Sequence, residues 1–412
     1  MTKRILTVSF TAAMLAQAAL AGGNFWEIGS GTLSTGISDG GAVVGDNNNT
    51  GQYFLWTLQS GMMDIGGQVA GQGIGGSSDI SDDGLFVGGT VLNSVTGVYE
   101  FGRYDINAGT WTPLGGLGAV SGVETSSGWA ISGDGSSVVG LGWVTSGGAH
   151  AVQWKDGEGV SDLGSTVEDR SSRANGVNSD GSVVVGWQDG AGRQGAVWID
   201  GVQELIFRTN GTAAQEAYKV TDDGEWVIGI DVAGIVGVAD FWRYSTSTGT
   251  YENLGNLATG GQSRAAGNAI TDDGSIIAGG TWGLGPATFG TAIIWTAETG
   301  TIRFGDWLSS KGVDFDEGYN FAFVTDVSSD GTWFTGWGRN AANELGSWVV
   351  QIAAGPDCPA DVDGSGGVDL ADLNLVLANF GQTTDEGDTN GDGEVDLADL
   401  NAVLAAFGTH CE

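Results

Sequence analysis

The sequence predicts a mainly β chain, a seven-bladed β-propeller followed by a small all-α module of two loop-helix units. Three observations predict it. One short phrase, rich in Asp-Gly and β-branched residues, returns seven times between residues 37 and 336. A strand-like segment at the start, Phe25-Trp26-Glu27-Ile28-Gly29, has no partner in its own repeat. An oxygen-rich loop followed by an apolar helix pattern is written twice near the end, at residues 361–381 and 388–408.

The repeated phrase begins at Ile37, Ile80, Ile131, Val177, Val220, Ile270 and Val327, at intervals of 43 to 57 residues. Periods of this length signal solenoids or propellers. A representative copy is Asn178-Ser-Asp180-Gly181-Ser-Val-Val-Val-Gly186. Its Asp-Gly pair suits a tight hairpin turn, because Gly and to a degree Asp tolerate positive φ. The β-branched run is a buried strand, and the closing glycine marks a bend or a close backbone approach. A third strand follows with a regular aromatic, as at Phe54-Leu-Trp56, Ala196-Val-Trp198 and Ala292-Ile-Ile-Trp295. A fourth reads like Val160-Ser-Asp-Leu163-Gly164. Four antiparallel strands per unit are the content of a propeller blade. The seventh unit lacks its fourth strand, so pairing with residues 25–29 would close the ring and leave no exposed edge.

This region is similar to the bacterial extracellular HAF repeat family, at His150-Ala-Val-Gln-Trp154 and at the phrase of residues 178–186. The resemblance implies fold and location; the family brings no settled activity with it.

Met1-Thr-Lys3-Arg4 leads into an apolar run, and Ala19-Leu20-Ala21 offers a small-x-small cleavage pattern. That predicts a signal peptide at 1–21, a propeller at 22–353 and a separate module at 354–412, in a protein that is secreted, extracellular or at the cell surface of a bacterium. No later stretch is apolar enough to predict a transmembrane segment. The whole chain carries a formal charge of −36, which would repel nucleic acid and anionic membrane surfaces. Neutral glycans, divalent cations and basic proteins fit better. The only cysteines, Cys358 and Cys411, bracket the last module, and an exported pair predicts a disulfide clasping its ends.

In the first terminal loop the residues at positions 1, 3, 5, 9 and 12 are Asp361, Asp363, Ser365, Asp369 and Asp372. In the second they are Asp388, Asn390, Asp392, Asp396 and Asp399. Position 7, which offers only its carbonyl, is Gly367 or Glu394. Ca²⁺ takes roughly six to eight oxygen ligands, and an EF-hand-like loop delivers them from these positions. Position 6 is glycine in both copies and position 8 is Val368 or Val395, placed to pack the loops together. Two bound calcium ions are therefore predicted. Thirteen acidic residues with no Lys or Arg between Asp357 and Glu412 would also suit a disordered tail, but such tails do not repeat glycine and valine at fixed positions.

Loop then helix, twice, without a preceding helix, resembles a type I dockerin over residues 357–412. The resemblance implies a docking module that binds a cohesin-like domain on a scaffolding or cell-surface protein. Such modules often carry polysaccharide-degrading enzymes. In the family, loop positions 10 and 11 help select the partner and are commonly polar. Here they are Leu370-Ala371 and Leu397-Ala398, identical in both copies.

No catalytic residue is predicted. The turn aspartates (Asp83, Asp134, Asp180, Asp223, Asp273 and Asp330) recur as turn residues must. His150 is the only histidine of the repeat region. The best non-repetitive acid cluster is Asp314-Phe-Asp316-Glu317, in the longest connection between repeats, with Glu124, Glu168, Asp169 and Glu216 behind it. The expected function is a calcium-binding, non-catalytic propeller that holds a glycan or protein and is tethered through its terminal module. The alternative is a polysaccharide-degrading hydrolase or lyase with its site on the propeller.

Overall fold

The computed structural model describes residues 23–231, 238–257, 262–283, 285–352, 360, 362, 368, 370–384, 387–390 and 393–408. The expected leader 1–21, Cys358 and Cys411, and the loop residues Asp361, Asp363, Ser365, Gly367, Asp369 and Asp392 lie outside the described residues. The chain divides after Ile352 into two compact units.

The first unit is mainly β. Four sheets each take four consecutive antiparallel strands, the first running from Thr32–Ile37 out to Gly61–Gly66 and the second from Asp79–Ile80 to Thr110–Pro113. The third runs from Ser126–Ile131 to Gly159–Gly164 and the fourth from Ser172–Val177 to Val202–Leu205. The next two repeats depart from the expectation of separate sheets. Their strands join in one nine-stranded sheet through the single pair Ile230↔Ala266 and an added short strand, Val238–Ala239, parallel to Ser263–Ile270. The added strand lies in the connection between Trp226–Ile230 and Phe241–Ser245, which reaches across to the neighbouring inner strand. In the last sheet Asn24–Ser30 is the outer strand, antiparallel to Leu345–Gln351, with Phe25 opposite Val350 and Glu27 opposite Trp348. The unpartnered segment of the sequence finds its partner there.

The first strand of every repeat is innermost. These inner strands touch in chain order, from Thr32–Ile37 through Asp79–Ile80 and onward to Asn320–Val327, which returns to Thr32–Ile37. That closed ring of radiating sheets is a β-propeller. Its apolar side chains pack face to face between successive sheets. Val44, Tyr53 and Leu55 meet Ile80 and Val87, and Val183, Val185 and Val197 meet Ala217, Val220 and Val227. A helix absent from the sequence reading, Phe304–Ser310, buries Phe304, Trp307 and Leu308 against the last sheet. It sits in the longest inter-repeat connection, where a strand period offered no guide.

The glycine that closes each phrase has a steric cause. A Cβ on Gly186 would lie 2.0 Å from the Arg173 carbonyl oxygen of the inner strand. That strand is bulged two residues later, at Asn175, and only glycine lets the two backbones approach so closely.

The described residues of the second unit contain helices Leu370–Asn379 and Leu397–Ala406. Val368, Val376, Val395 and Val403 are fully buried and form its core with Ala360. The position-8 valines bind crosswise: Val395 O accepts from Gly381 N and Val368 O from Gly408 N, both at 2.8 Å. Each loop is thereby tied to the glycine that ends the other repeat's helix. Among the described residues no helix is long and apolar enough to cross a membrane.

Candidate functional site

Two places gather polar chemistry, one in each unit. In the terminal unit, the position-12 aspartates turn back onto their loops in the same way. Asp372 Oδ1 accepts from Val362 N at 2.7 Å, and Asp399 Oδ1 from Thr389 N at 2.8 Å. Asp388 Oδ2 accepts from Gly393 N at 2.7 Å. Asp396 caps the second helix, taking Ala398 N at 2.6 Å, while Asp399 Oδ2 takes Asp396 N at 2.7 Å. Asp388, Asn390, Glu394 and Asp396 precede the second helix, and Asp399 lies in its first turn. Among the described residues no three acidic side chains converge closely enough to hold a metal. The donor set is nevertheless all oxygen, as a hard cation takes.

The two helices expose matched apolar faces. Leu370 and Leu397 are 64% and 63% exposed, Leu377 and Leu404 51% and 52%, Phe380 and Phe407 44% and 45%. Ala371 and Ala398 are exposed beside the leucines. The residues expected to meet a partner are therefore on the surface, and the surface is duplicated.

In the propeller the sequence-predicted candidates are dispersed. Each turn aspartate accepts bonds from its own turn: Asp83 takes Ser81 Oγ at 2.7 Å and Leu85 N at 2.9 Å, and Asp330 takes Ser328 Oγ at 2.7 Å and Thr332 N at 2.9 Å. At Asp180 the Ser182 hydroxyl and amide hold the carboxyl below the usual carboxylate range. Asp314, Asp316 and Glu317 are exposed, and Asp316 Oδ1 receives Gly318 N at 2.8 Å within its own turn. Nδ1 of His150 meets the Asp162 carboxylate at 2.9 Å on the surface. Glu216 is engaged by Arg173 at 3.6 Å and by Arg193. Buried Glu124 takes Gly75 N at 3.1 Å and Trp143 Nε1 at 3.3 Å.

A site the sequence reading missed lies on the propeller axis, in a cavity of about 190 Å³. Three consecutive levels of the inner strands line it. At the first, six inner strands are bulged, at Thr35, Trp129, Asn175, Tyr218, Asn268 and Thr325. A bulge re-aims its side chain, and all six line the cavity with Ser78, which just precedes the remaining strand Asp79–Ile80. The next level is a belt of buried aliphatics, from Ile37 and Ile80 round to Val327, the residues that open each phrase. Beyond it stand Asp39, Asp82, Asp222 and Asp272, from the turns.

Just before the belt, Lys219 reaches across the axis to Asp326. Asp326 is almost wholly buried and also accepts Ile37 N at 3.0 Å. Asp79 takes Ile80 N at 3.0 Å and Ile131 N at 3.2 Å. Burial works against the Lys219 ammonium, but the Asp326 and Asp79 carboxylates outweigh it and hold its pKa well above the usual lysine range. Burial pushes the Asp79 carboxyl up, with Lys219 partly offsetting it.

The turn-side ring of acids is linked by bonds from turn to turn: Ser329 N donates to Asp39 Oδ1 at 2.9 Å and Asp39 N to Asp82 O at 2.9 Å. Burial, then the neighbouring Asp39 carboxylate among its like charges, pushes Asp82 up to about 7. Burial and Asp82 push Asp222 to about 6, and burial and Asp222 push Asp272 to about 6. A carboxyl whose folded pKa lies above its unfolded value favours the folded state while protonated. That contribution is complete below about pH 4 and is lost as pH rises to about 7. The propeller's melting temperature is therefore expected to fall between pH 5 and pH 7.5. Asp82→Asn is expected to raise it at pH 7.5 and flatten the slope, as thermal melts across that range would read. A slope unchanged in Asp82→Asn would exclude the ring as its source.

No protein-family model and no curated protein matches the chain. Solved structures are similar at low identity. The β-propeller domain of the Trilobed protease from Pyrococcus furiosus is 11% identical, with a TM-score of 0.46, covering 81% of this chain and 98% of that one. An oligogalacturonate lyase in complex with manganese is 12% identical, at 0.45, with the same coverages of 81% and 98%. TolB from Acinetobacter baumannii is 12% identical, at 0.42, covering 67% of this chain, which spans only 63% of that TolB's length.

Proposed function

We propose that this protein is a secreted, calcium-binding protein whose seven-bladed, non-catalytic propeller binds or presents a ligand and is tethered to a partner protein through a dockerin-like module. The blade count follows from reading the nine-stranded sheet as two four-stranded repeats joined by one residue pair and a short added strand. Two calcium ions would be held by the loop residues Asp361, Asp363, Ser365, Gly367, Asp369 and Asp372, and by Asp388, Asn390, Asp392, Glu394, Asp396 and Asp399.

The observation that carries this reading is the duplication of the terminal unit in space as well as in sequence. Asp372 and Asp399 make the same backward bond, and Leu370-Ala371 and Leu397-Ala398 are exposed alike. A core of four buried valines is small, and a unit of this size commonly relies on a metal or a disulfide for stability. Calcium supplies the countercharge that the acidic loops otherwise lack. Two equivalent apolar faces suit a cohesin-like or cell-surface protein that can dock in either orientation. Asp314, Asp316 and Glu317 are exposed, and Asp316 accepts from Gly318 N within its own turn, so this cluster has the bonding of a solvated turn rather than of the polysaccharide-degrading alternative.

Calorimetric titration of the full chain with calcium is expected to give two sites. Asp388→Ala is expected to remove one site and leave the other, and Asp372→Ala the reverse. A stoichiometry of zero in the intact, folded chain would end the calcium assignment.

A further inference from the structure

The two helices of the terminal unit carry no charge on their outer surface. Asp372 is the one ionisable residue of Leu370–Asn379 and Asp399 that of Leu397–Ala406, and both are fully buried. The solvent face of the first helix is instead Leu370, Asn374, Leu377 and Ala378, and the second helix repeats it at the matching positions from Leu397 to Ala405. A helix exposed to water commonly sets a charged or polar face opposite its buried stripe. Here the outer stripe is mostly apolar as well, and leucines more than half exposed stand on it in both copies. Such a face calls for a cover.

Geometry sets how many covers. At about 3.6 residues per turn, the stripe of Leu370, Asn374 and Leu377 lies on the opposite side of its helix from buried Asp372 and Val376. Val376 and Val403 meet in one core, so each helix turns its buried side to the other and its outer stripe away. The two stripes face apart, and a partner on one leaves the other open.

Charge selects the kind of cover. Thirteen acidic residues and no Lys or Arg lie between Asp357 and Glu412, and Glu394 and Asp396 are exposed just before Leu397. Two calcium ions would offset only part of that charge. A second copy of the unit, or an anionic lipid surface, would bring like charge against it. An apolar strip flanked by lysine or arginine fits both the leucines and the acidic loops.

We propose that the terminal unit is bivalent: it holds two partner surfaces at once, one on each helix, and each is an apolar strip flanked by basic side chains. This rests on reading the unit as a calcium-loaded docking module and names the chemistry and number of its partners. Simultaneous occupancy lets one chain bridge two partners, where a choice between two orientations would hold only one.

The test uses the full, calcium-loaded chain and a synthetic amphipathic helical peptide with leucine along one face and lysine on either side. Calorimetric titration is expected to give two peptides per chain, with binding weakened by added salt. A peptide of the same composition in scrambled order keeps the charge and loses the apolar strip. It is expected to bind about tenfold more weakly or worse, since burying even one leucine side chain is a factor of that order. A peptide with glutamate in place of lysine is expected not to bind. Leu377→Glu and Leu404→Glu, both at exposed positions, are each expected to leave one peptide site, and the double variant none. Circular dichroism establishes that each variant is folded. Equal binding of either control peptide, binding unchanged in the folded double variant, or one peptide per intact chain overturns the proposal. So does a calcium-dependent dimer of the chain alone in sedimentation that the double variant abolishes, which would assign both stripes to a second copy. Calcium titration of the same sample separates the failures. Two calcium sites without peptide binding end this inference alone, and no calcium site ends the docking reading beneath it.

Discussion

Replacing Lys219 with methionine is expected to destabilise the propeller by about 3 kcal/mol or more at neutral pH, the usual consequence of removing one partner of a buried ion pair. The loss resides mainly in Asp326. Its side chain is 2% exposed while that of Lys219 is 30% exposed, so the carboxylate is the charge that water reaches least. Without the ammonium, the buried Asp326 carboxylate is left facing Asp79 with no countercharge. An unpaired buried charge beside a second carboxylate costs stability. The deficit of Lys219→Met is therefore expected to shrink between pH 7 and pH 5, as the neighbouring Asp79 carboxyl, pushed up to about 7 by burial, takes up its proton and its repulsion is lost. The double variant Lys219→Met with Asp326→Asn should recover much of the loss at pH 7, because no unpaired charge remains. Urea unfolding followed by tryptophan fluorescence checks all three. A loss under about 1 kcal/mol, typical of exposed ion pairs, would mean that cavity water screens the pair, and its role on the axis would then have to be abandoned.

The repeated phrase made the strands, turns and aliphatic belt legible because each obeys a local rule. Asp-Gly marks a turn, β-branched residues mark a strand, and an apolar residue opens each copy. The axial site was not legible by the same means. Its chemistry sits one and two residues upstream of the phrase, where repetition fails: Gly36, Asp79, Ala130, Gly176, Lys219, Ala269 and Asp326 occupy one column. A lone lysine among small residues and two acids was the available signal, and only the bulges explain why that column and its neighbour face the axis. The sheet fusion through Ile230 and Ala266 was invisible because it depends on one pair across two repeats. In the terminal unit buried Val376 and Val403 follow from helical spacing and Val368 and Val395 from their loop position, whereas the crosswise Val368–Gly408 and Val395–Gly381 bonds are tertiary.

Removing residues 24–30 is expected to be the most damaging change to the propeller, at about 5 kcal/mol or more, or failure to fold. The segment is short, but it contributes on three counts. It completes the last sheet by pairing with Leu345–Gln351 over six residue pairs, and without it that strand's polar backbone becomes an open edge prone to aggregation. It also supplies aromatic contacts on both faces. Phe25 packs edge-on against Tyr319 at 5.0 Å and Phe321 at 5.6 Å, while Trp26 stacks on Trp333 at 6.0 Å and tilts against Trp56 at 6.3 Å. Such pairs contribute about 0.5–1.5 kcal/mol each beyond the area they bury. Trp333 belongs to the last sheet and Trp56 to the first, so Trp26 sits at the junction where the ring meets itself. Finally, the strand joins the two ends of the propeller sequence, so its loss frees the last sheet to separate from the first without opening any other sheet. Trp26→Ala alone is expected to cost about 2–4 kcal/mol, less than a fully buried tryptophan because the side chain is partly exposed. A synthetic peptide of residues 24–30 added to the truncated chain should restore part of the melting temperature. A truncated chain that melts within a degree or two of the intact one would show that the ring holds without this strand, and that the sheet-to-sheet contacts of the inner strands suffice to close it.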